Sequence, residues 1–213
     1  MSDLTAPIRE RILDAAFNAF MRLGYGGAST AQIARLAHVS KRDLYAHFGS
    51  KQAMLAGCVA ERADRMRQPL RLPEPTDRAG LEQTLIEFGM AVVREIARPE
   101  VLATYRLAIV EAENAPDVAA TLDRHGRMAS AEALVGLLTT ARDRGLLGGA
   151  EPSDMAAVFN AVLMGGALLV RMLMRVVAAP TEAEARLRAE RAADCLFQLY
   201  ATAGCSNTGC SNG

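Results

Sequence analysis

Residues 29–51 constrain the chain more than any other stretch. They hold two helix-length patterns with almost nothing between them. Thr30 supplies an N-cap hydroxyl, and Gln32, Ile33, Ala34 and Leu36 suit a short helix. Ile33, Ala34 and Ala37 fall on one face at helical spacing. Ser40 is a second N-cap, and Leu44 and Phe48 give the next helix its own i, i+4 apolar pair. Only Ala37, His38 and Val39 remain for a turn. Two short helices joined so tightly form a helix-turn-helix unit, in which the second helix fits the DNA major groove.

The rest of the chain reads as helix throughout. The first helix is predicted over 8–23, with Ile8, Ile12, Ala16, Phe20 and Leu23 as its apolar stripe and Gly24 as a left-handed stop. A helix capped by Ser50 runs to 67, after which Pro69, Pro73 and Pro75 break the chain. Further helices are expected over 77–98, 100–113, 117–144 (ending at Gly145) and 152–177. The last is predicted over 181–203, opened by the Thr181/Glu184 capping box. Asn114, Ala115 and Pro116 form a turn. Residues 204–213 repeat Gly-Cys-Ser-Asn, bury nothing apolar and are expected to be disordered. The fold class is all-α. Its predicted units are a DNA-binding unit over 1–67, a larger helical unit over 68–203 and a tail over 204–213.

Charge is balanced overall but not locally. The whole chain has a formal net charge of zero. Within residues 1–51 seven Lys and Arg stand against four Asp and Glu, a net of +3, which leaves −3 for the remainder. A local basic surface on a neutral chain suits specific DNA binding with modest non-specific affinity. The start of the chain lacks the basic and apolar segments of a signal peptide. The longest apolar run, 156–177, is interrupted by Asn160, Arg171 and Arg175 and reads as a buried helix, not a membrane span. Cys58, Cys195, Cys205 and Cys210 have neither metal-ligand nor disulfide-framework spacing, so reduced thiols in the cytoplasm are expected. No nucleophile–base pair, paired carboxylate, phosphate loop or metal cluster is present. The reading is therefore no enzyme, no cofactor and no metal.

The residues from Ser40 to Lys51, with the core Leu44-Tyr45-Ala46-His47-Phe48 and the pair Ser50-Lys51, resemble the signature of the TetR family of bacterial transcriptional regulators. The stretch from Ile8 to Phe17, then Phe20, Gly24 and Tyr25, is similar to that family's first helix. The resemblance covers about the first fifty residues. A second one lies in Arg98-Pro99-Glu100, Tyr105-Arg106-Leu107, Glu111-Ala112-Glu113, Pro116 and Arg144-Gly145-Leu146-Leu147, which look like the AefR-like C-terminal type. The first resemblance implies that Tyr45 and His47 contact DNA phosphates.

Other candidate residues follow from position. Lys41 and Arg42 start the second helix of the pair, where base edges are reached, and an arginine there can pair with guanine O6 and N7. Asp43 either accepts from cytosine or favours the helix start through the dipole. Thr30, Ser40 and Lys51 stand at helix starts, which bind phosphate. Phe88, Tyr105, Ile109, His125, Met128, Phe159 and Met164 either line a ligand cavity or fill an ordinary core. Long apolar faces on the last two helices, with Ala161, Gly165, Leu169, Met172, Leu196, Leu199 and Tyr200, suggest a two-fold four-helix interface, the family's usual arrangement. The combined expectation is a cytoplasmic homodimeric repressor, released from a palindromic double-stranded DNA operator by a small lipophilic effector. The alternative is a ligand-independent or architectural DNA-binding protein with a solid C-terminal core.

Overall fold

The computed structural model describes residues 7–71, 74–113 and 115–201, and among them no strand occurs. The expected tail over 204–213 lies outside the described residues, as does Asn114 of the expected turn. The helices are α1 (Ile8–Gly27), α2 (Thr30–Leu36), α3 (Lys41–Phe48), α4 (Lys51–Arg67), α5 (Arg78–Ile96), α6 (Pro99–Val110), α7 (Pro116–Leu122), α8 (Ala129–Asp143), α9 (Pro152–Leu163), α10 (Leu168–Leu173) and α11 (Glu182–Leu199).

The first turn of α1 is solvated and its middle is not. Ile12, Ala16 and Phe20 are buried as their spacing predicts, but Ile8 and Leu23 are exposed; Leu13, Ala15, Phe17 and Ala19 are buried in addition. The helix breaks at Gly24, whose φ of 76° and ψ of 166° lie in a region essentially confined to glycine. At the start of α2 the expectation is corrected by one residue. Ser29, not Thr30, is the N-cap. Its extended backbone lets Oγ accept from the Gln32 N–H, while the Gln32 side chain accepts from the Ser29 N–H. His38 closes the following turn at φ 54°, with its carbonyl held by Arg11 Nη2 at 3.1 Å. Ile33, Ala34, Ala37 and Leu44 then bury against α1 and α4.

A second cluster is built from α5, α8, α9 and α11. In it α5 and α11 approach closely at Gly89, where an added Cβ would lie 2.9 Å from Ala189 Cβ. The alanine face of α11, with Ala185, Ala189, Ala192 and Ala193, is buried against the same protomer. The two clusters meet along α4. Cys58 and Val59 belong to the first, and Met66 packs on the second. Ala108, Val118 and Leu122 from α6 and α7 also join the first cluster, so the break after residue 67 is not a gap in packing.

Three predicted helices are altered. The helix expected over 100–113 ends at Val110 and is followed by a turn. The helix expected over 117–144 contains a π-helical turn (Asp123–Met128) between α7 and α8, and it stops at Gly145 (φ 74°) as expected. The helix expected over 152–177 breaks between α9 and α10. Gly165 and Gly166 each disfavour helix by about 1 kcal/mol, and Gly166 and Ala167 both take positive φ. Arg188 Nη1 donates to the freed carbonyls of Leu163 (3.2 Å) and Gly165 (3.1 Å), so the break is capped from α11. Arg106 does the same for the end of α10, through Leu173 O and Met172 O, both at 3.0 Å.

Candidate nucleic-acid interface and ligand cavity

The local chemistry of α3 holds an exposed polar row over a buried anchor. Ser40 Oγ accepts from the Asp43 N–H at 3.0 Å and donates to Asp43 Oδ2 at 2.7 Å. That hydrogen bond from Ser40 lowers the Asp43 carboxyl below its ordinary value, so Asp43 serves as the charged first-turn cap. Leu44 is buried, and around it Lys41, Arg42, Tyr45 and His47 face solvent. Tyr45 remains 47% exposed, and its hydroxyl lies 3.1 Å from Thr30 Oγ1, which links the outer edge of α3 to the first turn of α2. Thr30 is half-buried at this junction.

Lys51 has a further job that its position at a helix start did not signal. Nζ donates to Tyr25 O at 2.8 Å and to Ala28 O at 3.3 Å, and lies 4.4 Å from the Tyr25 ring centroid. The ammonium thus ties the broken end of α1 to the start of α4. Arg9 stacks over Phe48, 5.5 Å from the ring centroid, and braces the far end of α3.

Between the two clusters lies a cavity of about 490 Å³. Its walls come from α4, α5, α6, the end of α7, the π-turn, α8, α9, the α9–α10 break and α10. Phe88, Tyr105 and Met164 line it. Burial raises the Tyr105 phenol above its ordinary value, with a smaller lowering by Arg127. The other four expected lining residues are corrected. Phe159 is wholly buried in the core, its ring centroid 6.2 Å from that of Phe88. Ile109 (63% exposed) and Met128 (42% exposed) point to solvent, because the end of α6 and the π-turn set them on the outer side. His125 is half-buried but away from the wall.

The cavity's polar members include residues that sequence reasoning missed, among them Arg62, Glu95, Ser130 and Asn160. A signal existed for one of them. Cys58, Arg62 and Met66 follow at i, i+4 spacing, which places an arginine inside the apolar stripe of α4. Among the described residues no group of three His, Cys, Asp or Glu could hold a metal, and no helix is long and apolar enough to cross a membrane.

The expected interface residues divide. Leu196 and Met172 are buried in their own protomer, because α5 and α9 cover α11 and α6 covers α10. Leu169 lines the cavity, and Gly165 and Tyr200 are half-buried. Ala161 and Leu199 are exposed, alongside Val170, Met174, Val176 and Leu187.

Residues 12–58 match the family described as bacterial regulatory proteins, tetR family, and residues 83–202 match the AefR-like transcriptional repressor, C-terminal domain. The HTH-type transcriptional regulator YvkB of Bacillus subtilis is 23% identical over 160 residues, 75% of this chain and 80% of its own. UidR of Escherichia coli K12 is 30% identical over 116 residues, 54% of this chain and 57% of its own. SrpR of Pseudomonas putida is 33% identical over 92 residues, 43% of this chain and 41% of its own. A TetR transcriptional regulator from Agrobacterium tumefaciens superposes with a TM-score of 0.75 at 25% identity, covering 93% of this chain and 96% of that one. The Flavonoid-responsive Regulator FrrA superposes with a TM-score of 0.71 at 24% identity, covering 91% and 96%, a likeness of fold alone.

Proposed function

Because the chain belongs to the TetR family of bacterial transcriptional regulators, we propose that it is a homodimeric repressor released from a palindromic operator by a small, largely apolar effector. Membership makes it a DNA-binding regulator and not an enzyme. Repression, release and dimerisation are our reading, as is a cytoplasmic setting. The observation that carries the DNA-binding part is the outer row of α3. Lys41, Arg42, Tyr45 and His47 are presented to solvent while Leu44 is locked in the core beneath them. Thr30 joins this row through Tyr45, and Ser40 and Lys51 hold the helix starts beside it. The functional division follows the chain: residues 1–67 contact DNA and 68–203 sense and dimerise.

The cavity favours the effector reading over a solid core. Its volume lies in the range of small-molecule sites, and apolar side chains dominate its wall. On α4, Val59 packs with the DNA-binding cluster while Arg62, one turn on, faces the cavity. An occupant therefore touches the helix that carries the recognition unit. The exposed Ala161, Val170, Met174, Leu187 and Leu199 offer the dimer surface. Two recognition helices one turn of B-DNA apart, roughly 34–36 Å, lose register with a shift of a few ångströms.

The test is operator binding against salt concentration. With about three phosphates neutralised per protomer, log K falls against log salt with a slope near about −5. Tyr45→Ala weakens binding to all operator variants alike, whereas Arg42→Ala relaxes preference at one base pair per half-site at a cost of about 1–3 kcal/mol. Salt-independent affinity, or wild-type binding by Tyr45→Ala, refutes the assignment.

A further inference from the structure

The charges on the cavity wall do not all cancel. Arg127 is committed to Asp123, with Nη2 to Oδ2 at 3.1 Å. Glu95 accepts from Arg65 Nη2 at 3.1 Å and lies 3.6 Å from Arg98 Nη1. Arg62 forms no ion pair of this kind, although Glu61 and Glu95 act on it at longer range. Its Nη1 donates to the Cys58 carbonyl at 2.9 Å and its guanidinium lies 3.8 Å from the Phe17 ring centroid. Its Nε is buried and makes no hydrogen bond. Loss of water around it lowers the Arg62 pKa below its ordinary value, the sign of a cation short of solvation.

Ser130 adds a second unfilled group on the facing wall. It is 8% exposed, and its Oγ has no hydrogen-bond partner. Four helical threonines donate back one turn: Thr84 to Gly80 O, Thr104 to Glu100 O, Thr139 to Val135 O and Thr140 to Gly136 O. Ser130 does not, although Gly126 stands four residues before it. The π-turn has shifted the register there, and the Gly126 carbonyl takes the Ala129 N–H instead. Both groups line the cavity, on helices that are in contact. Gly126 faces Val59 so closely that a Cβ would sit 3.4 Å from Val59 Cγ1. The 3-10 turn after α4 (Gln68–Arg71) packs on α8, so the two helices run in the same sense. One turn beyond Val59 and Gly126 come Arg62 and Ser130.

We propose that the occupant of this cavity is an apolar monoanion, an aromatic or aliphatic carboxylic acid whose carboxylate pairs with Arg62 and accepts from Ser130. This rests on the effector reading given above. Such an acid answers both deficits at once: its head supplies an anion to Arg62 and an acceptor to Ser130, while its body lies along Phe88, Val92 and Val135. An amine of the same shape would meet Arg62 with like charge, and a neutral molecule would leave the guanidinium without an anion in direct contact.

The probes are 2-naphthoate and decanoate, each set against its matched alcohol and amine. Binding to the full-length protein at neutral pH is measured by calorimetry. At least one acid is expected to bind about tenfold or more tighter than its alcohol, the gain typical of a charge-assisted hydrogen bond, with the amine weakest. In Arg62→Gln the preference for the acid vanishes, in Arg62→Lys part of it survives, and Ser130→Ala reduces acid binding several-fold while sparing the alcohol. Circular dichroism of each variant verifies the fold. Alcohol or amine binding as tight as the acid, an acid preference that persists in Arg62→Gln, or binding by none of the six probes overturns the proposal. Operator affinity is followed in parallel by anisotropy. An acid that binds through Arg62 without loosening DNA upholds the ligand class and refutes release; an alcohol that binds and releases DNA as well as its acid does the reverse.

Discussion

Replacing Gly89 with alanine tests the close seam between α5 and α11. On helix propensity alone the change stabilises by about 1 kcal/mol. In place, however, the new Cβ would lie 2.9 Å from Ala189 Cβ and 3.3 Å from both Ala189 Cα and Leu163 Cδ1. Carbon atoms settle at about 3.5–4.0 Å, so α5 and α11 must part by several tenths of an ångström. One of the opposing atoms is backbone and cannot swing away. Overpacking of this kind costs about 1–3 kcal/mol, which outweighs the propensity gain over most of its range. The difference is a net loss of up to about 2 kcal/mol. For a chain of this length that corresponds to a fall in Tm of up to roughly 8 °C. Gly136, exposed within α8 with nothing within 4 Å of its would-be Cβ, is the internal control. There the same substitution should raise Tm. Calorimetry of both variants, with Ala189→Gly as the partner in a double-mutant cycle with Gly89→Ala, reads the seam directly. A rise in Tm for Gly89→Ala, or strict additivity with Ala189→Gly, refutes the packing argument.

Cys58 carries a pH prediction. Burial pushes its thiol up to about 12, and Sγ donates to Leu13 O at 3.4 Å. The unfolded thiol ionises near its ordinary value of about 8.5, so the folded form holds the extra proton between these values and stability falls as pH rises through that window. The loss is at most about 1.4 kcal/mol per pH unit. Denaturation at pH 8 and 10 should show a decline that Cys58→Ala lacks, and iodoacetamide should spare Cys58 in the native protein; equal declines in both proteins would count against the burial argument. Leu199, 61% exposed on α11, tests assembly. Leu199→Glu should leave the melting temperature nearly unchanged yet shift light scattering towards the monomer and weaken operator binding, whereas an unaltered dimer would place the interface elsewhere.

What was legible in the sequence is what short-range chemistry decides. Caps and spacing locate α2, α3 and α4 to within a residue, and Gly24 and Gly145 stop their helices where only a positive φ serves. The break between α9 and α10 was less visible, because two glycines in an apolar run are tolerated in many helices. Here the decision comes from Arg188 on α11, distant in sequence, which satisfies the carbonyls that the break releases. The π-turn before α8 also lies at a contact between distant segments, with Gly126 facing Val59.

The same distinction explains why cavity and interface were read less well than the recognition helix. Periodicity tells which face of a helix turns inward; it does not tell whether that face meets a side chain, a void or a second copy. Phe88 and Phe159 carry the same pattern signal, yet one lines the cavity and the other fills the core beside it. Leu196 and Leu199 share α11, yet α5 and α9 cover one and leave the other bare. The more informative residues are those that contradict their own stripe. Arg62 interrupts the apolar ladder of α4 between Cys58 and Met66, and a long cation in such a place must be either paired or waiting for a partner. In the folded chain it stacks on Phe17 and meets one carbonyl, with Nε unsatisfied. A violation of pattern that remains unsatisfied after folding is where a ligand's chemistry is best sought.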